Sequence, residues 1–181
     1  MSEINLTMEK QLIKNIVISL LIIVGISFGQ ENTNTRIDEK TGKTILFGTI
    51  DRDAFQDDNY AWWFNSGYKF YKTDTLIIQK LSTIDLDSLK ITLVIGTWCS
   101  DSRREVPRFF KIIDEIQFPQ ERIKIFGVDR KKESSEGDIA ALNIELVPTF
   151  IFYVNEKEIG RIIETPEVSL EGDMLKILDE R

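Results

Sequence analysis

The chain contains no histidine. Ser/His/Asp and Cys/His catalysis both take an imidazole as base, so both are excluded. Cysteine occurs once, at Cys99, which rules out a His/Cys zinc site and a disulfide within the chain. Positive charge is scarce as well: 23 Lys and Arg face 30 Asp and Glu, a net charge of −7, and such a surface repels a phosphate backbone. A nucleic-acid partner is therefore not expected, nor is any metal or other cofactor. Internal repeats and low-complexity tracts are also missing. What remains is the chemistry of one thiol, hydroxyls, carboxylates, Lys and Arg. The carboxylates read as a charge-rich surface, with no pair standing out for acid–base work.

The composition otherwise fits a soluble globular protein, with 42% hydrophobic and 29% charged residues among 181. That length suits one domain plus a leader. The run "IVISLLIIVGISF", Ile16 to Phe28, follows Lys10 and Lys14 and precedes the polar "QENTNTR". This order of basic, apolar and polar regions is that of a secretory signal, and the run is short for a membrane span. Ser27 and Gly29 supply small residues for cleavage after Gly29. The expectation is a signal peptide over 1–29 and an exported protein of the periplasm or cell envelope. Membrane attachment follows only if the segment stays uncleaved.

Residues 30–42 read as a flexible tether, polar and without an apolar period. Residues 43–83 read as an N-terminal extension that packs on the core. They offer a strand over Lys43–Ile50, then Phe55, Trp62, Trp63, Phe64, Tyr68 and Tyr71 at helical spacings. A helix broken near, or tolerating, Gly67 is predicted there, its aromatics filling a face against a sheet. "ITLVIGTW", Ile91 to Trp98, is β-branched and almost continuous, the pattern of a strand covered on both sides. Ser100–Gln117 is an amphipathic helix, Arg122–Val128 a second strand, and Ser135–Leu142 a short helix. The β, α, β order implies parallel strands joined by a right-handed crossover. "TFIFYVNEKEIGRIIE" then reads as an antiparallel hairpin turning at Asn155 to Lys157, and a helix after Pro166 closes the chain.

The cysteine lies in "GTWCSDSRREVP", Gly96 to Pro107, where the first strand gives way to the long helix. The βαβ and ββα halves around it resemble the thioredoxin fold. Trp98 directly before Cys99 resembles the W-C-x-x-C motif of that family, and Pro107 stands where its active-site helix carries a proline. "VPTFIFY" resembles the cis-proline loop and its strand, with Pro148 as the cis-proline, and "NEKEIGRIIE" resembles the following hairpin, with Glu156 where glycine is common. The resemblance covers about Ile84 to Arg181, the expected thioredoxin-like domain. It implies an α/β, thioredoxin-like fold with a central mixed sheet flanked by helices, plus the N-terminal α/β extension. The longer motif is also similar to a group of exported bacterial thioredoxin-like proteins. Two positions depart from the family: Ser102 replaces the second cysteine, and Leu93 stands where thioredoxins keep a buried acid.

A thiolate at a helix N-terminus is favoured by unpaired N–H groups and the helix dipole. Ser102, one turn on, could donate a hydrogen bond to it, but a serine hydroxyl cannot expel sulfur from a mixed disulfide. The resemblance thus implies a monothiol oxidoreductase, isomerase or mixed-disulfide trap, with Cys99, Ser102 and Trp98 as catalytic candidates and Val147, Pro148 and Thr149 as substrate contacts. Its partners would be a thiol- or disulfide-containing exported protein or a low-molecular-weight thiol. The alternative is a non-catalytic thioredoxin-fold binding module for a peptide or partner protein, and a separate reading makes Cys99 a buried, inert cysteine. A peroxidase reading fares poorly, because Thr92 and Gly96 occupy the proline and Ser/Thr places of P-x-x-x-[ST]-x-x-C.

Overall fold

A computed structural model describes residues 34–135 and 137–180. The expected signal peptide and residues 30–33 of the expected tether lie outside the described residues. No helix among the described residues is long and apolar enough to cross a membrane.

Three short strands open the chain: β1 (Thr35–Ile37), β2 (Thr44–Leu46) and β3 (Gly48–Ile50). The described part of the expected tether is thus a strand and a turn. β1 pairs antiparallel with β2, and the turn between them is fixed by Asp38, whose carbonyl accepts from the amides of Thr41 and Gly42. After a single-turn 3-10 segment, Arg52–Gln56, come α1 (Ala61–Phe70) and α2 (Thr75–Leu81). Asp74 caps α2, its carboxylate accepting from Leu76 and Ile77 N–H.

The remainder alternates as the hydrophobic pattern dictates. β4 (Leu89–Ile95), α3 (Ser100–Glu115) and β5 (Ile123–Gly127) form the crossover, with β4 and β5 parallel. A 3-10 turn, Gly137–Leu142, stands where a short helix is expected. β6 (Thr149–Val154) and β7 (Lys157–Ile163) form the hairpin, joined by Asn155 and Glu156, both at positive φ as a tight hairpin turn requires. α4 (Leu170–Asp179) begins at a Ser169 cap rather than at Pro166, because the Ser169 hydroxyl accepts the free Gly172 N–H. The five-stranded sheet runs β3-β5-β4-β6-β7, with β3 and β6 antiparallel to their parallel neighbours β5 and β4. The fold is thioredoxin-like, and the extension contributes an edge strand, β3, to its sheet.

Val106, Phe109, Phe110 and Ile113 of α3 are buried against Leu93, Phe150 and Phe152 of the sheet. The aromatic residues of the extension extend this core. Phe55 stacks on Phe64 with centroids 4.9 Å apart, and both rings approach Phe110. Tyr68 and Tyr71 keep their hydroxyls on buried or half-buried acids: Tyr68 donates to Asp114 at 2.8 Å and Tyr71 to Glu171 at 2.6 Å. Arg52 donates two hydrogen bonds to the same Asp114, at 2.7 and 2.6 Å. Burial works to raise the Asp114 carboxyl, and the bonds from Arg52 and Tyr68 outweigh it, leaving that group below the usual carboxylate range. Trp62 departs from the packing expectation, at 67% exposure.

Gly67 does not break α1. A methyl group there would lie 2.5 Å from Cγ of Pro107 on α3, so the glycine marks the closest approach of two helices. Alanine is the better helix former by about 1 kcal/mol, yet overpacking of about 1–3 kcal/mol outweighs it. Gly67→Ala is therefore expected to lower the urea midpoint, and adding Pro107→Ala to restore part of it. A midpoint raised by Gly67→Ala alone would show that the crossing has room.

Candidate active site

Parallel pairing brings the C-terminal ends of β4 and β5 to one edge of the sheet, where ligand sites of α/β folds gather. The chain leaving β4 carries Thr97, Trp98 and Cys99, and the chain leaving β5 carries Val128, Asp129 and Arg130. The two segments join through Trp98. Its Nε1–H donates to the Val128 carbonyl at 2.9 Å, and the Arg130 guanidinium lies over the ring at 4.7 Å from the centroid. Behind the ring, a methyl group on Gly96 would stand 2.6 Å from the indole, so only glycine lets the tryptophan fold back here. Thr97 is buried, and its hydroxyl accepts from the Leu46 amide at 3.2 Å, tying the loop to β2.

Cys99 is the N-cap of α3 and is half-buried. Its thiol donates to the carbonyl of Val147 at 3.2 Å, and Sγ lies 3.8 Å from a carboxylate oxygen of Asp101, which is itself paired with Arg104 at 2.8 Å. The Val147–Pro148 peptide bond is cis. Val147 and Thr149 are 3% and 2% exposed, and Pro148 is buried, so the side chains of the three expected substrate contacts face the protein. The Thr149 hydroxyl donates to the Leu146 carbonyl at 2.7 Å. What this loop presents to the thiol is backbone, the Val147 carbonyl.

Ser102 is fully buried, and its hydroxyl accepts from the Gly96 amide at 3.2 Å. The thiol therefore gives its hydrogen bond to the loop before β6, while the Ser102 hydroxyl is engaged with Gly96. The serine serves the backbone of the β4–α3 turn.

Two residues of this edge carry no motif and are not legible as site residues in the sequence. Arg130 grips Asp38, with Nε on Oδ1 at 2.7 Å and a terminal nitrogen on Oδ2 at 2.9 Å. These bonds, with one from the Thr41 hydroxyl, outweigh desolvation and hold the Asp38 carboxyl well below the usual range. Arg130 is raised in turn, first by its bonds to Asp38. The available signal is topological: Arg130 leaves the parallel strand beside the one that leads into Cys99. Among the described residues no group of three or more His, Cys, Asp or Glu could hold a metal ion.

Because the Asp38 carboxyl is depressed by folding, its contribution to stability is complete above the unfolded value of about 4 and is lost as pH falls through the depressed folded value. Asp38→Asn removes the charge-assisted bonds, for an expected loss of about 1–3 kcal/mol near neutral pH. The difference from the parent chain should shrink in acid, as thermal melts at several pH values would read. A difference that stays constant or grows on acidification would deny the pair this role.

No family model matches the chain. A thioredoxin-like protein of Acanthamoeba polyphaga mimivirus is 26% identical over 106 residues, which span 57% of this chain and 74% of that protein. A crystal structure of a Pseudomonas aeruginosa protein of unknown function matches with a TM-score of 0.50 at 15% identity, over 72% of this chain and 92% of that one. Thioredoxin O2 of Arabidopsis thaliana, in its oxidized state, gives a TM-score of 0.39 at 20% identity over 60% and 91% of the two chains. The relative and the fold support the thioredoxin superfamily, and a thioredoxin-like fold suggests thiol or redox chemistry at the level of the family.

Proposed function

We propose that this chain performs thiol-disulfide exchange with a single nucleophile, Cys99, on exported proteins or low-molecular-weight thiols. The observation that carries this reading is the position of Cys99: partly exposed as the N-cap of α3, with the backbone of the cis-proline loop beside its sulfur. A buried, inert cysteine would have no such surroundings.

In the forward step the Cys99 thiol gives its proton to solvent, and the thiolate attacks one sulfur of a disulfide. The Cys99 S–S bond forms as the substrate S–S bond breaks. Cys99 and the attacked sulfur end as a mixed disulfide, and the other substrate sulfur leaves with the electron pair as a thiolate. Ser102 stands where a second thiol would attack, and its hydroxyl is held by Gly96 N–H. A low-molecular-weight thiol must therefore release the product, attacking the mixed disulfide and leaving Cys99 reduced. The backbone of the Val147–Thr149 loop lies beside the sulfur and is the natural rest for an extended peptide substrate.

Cys99→Ser is expected to abolish mixed-disulfide formation while the melting temperature stays within a few degrees of the parent. A loss of fold would make Cys99 a packing residue and favour the binding module. Ser102→Cys supplies a second thiol at the i, i+3 place and should let the protein release its own adduct by forming an internal disulfide, seen as a loss of two mass units. An adduct that persists in this variant without outside thiol would contradict the geometry assigned to residues 99–102.

A further inference from the structure

Two oxygens flank the Cys99 sulfur, the Val147 carbonyl at 3.2 Å and Oδ2 of the Asp101 carboxylate at 3.8 Å, and both can only accept. We propose that Asp101 selects the substrate, favouring a disulfide that carries an ammonium or guanidinium beside its sulfurs. The selection rests on Cys99 acting as the nucleophile.

Among the described residues, the Cys99 thiol is the one hydrogen-bond donor that reaches either oxygen. Exchange consumes that donor. Once Cys99 is in a mixed disulfide, the carbonyl and the carboxylate face the substrate with nothing donated to them. A cation bearing N–H groups restores what is lost, whereas a second carboxylate adds repulsion. Asp101 is open to such a group, with 24% of its side chain exposed. Its cationic partner among the described residues, Arg104, sits on the other oxygen, Oδ1, at 2.8 Å and is shared with the buried Glu105 carboxylate at 2.6 Å. The charge turned to the sulfur is therefore only partly matched. Arg103 does not match it either: two residues on, it lies about 200° around α3 from Asp101 and lines the cleft that holds Lys43 and Trp62. At longer range, the net charge of −7 draws a positive partner toward the chain.

The test compares the rates at which the full chain reacts at neutral pH with disulfides whose arms match in length: the dication cystamine, the neutral bis(2-hydroxyethyl) disulfide and the dianion 3,3′-dithiodipropionate. In each reaction the Cys99 thiolate forms one S–S bond as the probe's S–S bond breaks, and the other half of the probe leaves as a thiolate. The adduct is read by mass. Asp101→Asn should lower the ratio of cystamine to dithiodipropionate rates about threefold to tenfold, lost attraction and lost repulsion each counting as one partly exposed charge pair. Arg104→Gln strips the carboxylate of its partner and should raise the same ratio. Glu115→Gln removes an equal charge at the far end of α3 and should keep the parent ratio. Both rates of a ratio come from one sample, and the neutral probe reports the reactivity of the thiol itself, so a change in stability or nucleophilicity cancels. Reaction with every probe at a ratio that Asp101→Asn leaves unmoved would overturn the selection and leave the exchange chemistry standing. Reaction with none would overturn the exchange chemistry itself. Cystine peptides with Lys or Gln beside the disulfide separate the sources: a preference for the Lys peptide larger than that for cystamine over the neutral probe identifies a basic protein segment, and the reverse a free aminothiol.

Discussion

The indole of Trp98 is fastened on three sides, by the Val128 carbonyl, by the Arg130 guanidinium and by the bare backbone of Gly96. Each fastening has its own requirement. The first needs β4 and β5 parallel and in register, so that the segments leaving them run side by side. The second needs Arg130 held, which Asp38 does from the turn after β1. The third needs glycine at 96. With the indole fixed, the chain turns into α3 at one place, and Cys99 becomes the N-cap facing the Val147 carbonyl.

This arrangement explains why the extension belongs to the site as much as to the core. Through β3 it adds a strand to the sheet, and through Arg52, Tyr68 and Tyr71 it grips Asp114 of α3 and Glu171 of α4. Through Asp38, in the strand and turn before the extension, the chain also holds the Arg130 guanidinium over Trp98. Here the guanidinium comes from the neighbouring strand end and is aimed by a residue 92 positions away. Where a self-resolving exchange needs a second thiol there stands a serine whose hydroxyl serves the turn, so in the exchange proposed here a thiol from elsewhere would complete the electron flow.

Local signals in the chain were sufficient for most of the fold. The β-branched run through Val94, the apolar face of α3 and the alternation after Thr149 each prescribe an element, because their burial periods differ. Pro107 and Gly67 were readable as single residues but not as a contact, since nothing local says that α1 crosses α3 there. The same limit hid β1: Thr35–Ile37 is short and exposed, and is ordered by pairing with β2 and by the ion pair that follows it. Within the site, Cys99, Trp98 and the Val147–Pro148 loop were legible from motifs, and the structure brings them together. Ser102 was legible as a position but not as a hydrogen-bond partner of Gly96. Arg130 and Asp38 owe their places to long-range pairing, which no short stretch encodes.

The most direct test of the account is alkylation of the reduced full chain by iodoacetamide, a neutral reagent, at pH 7, compared between the folded chain and the chain unfolded in urea and followed by mass. A poised nucleophile predicts one alkyl group added at Cys99, faster in the folded chain than in the unfolded one. Protection of Cys99 in the folded chain, with reaction appearing only as the protein unfolds, would contradict the account and leave Trp98 and its neighbours as the frame of a binding surface without a nucleophile.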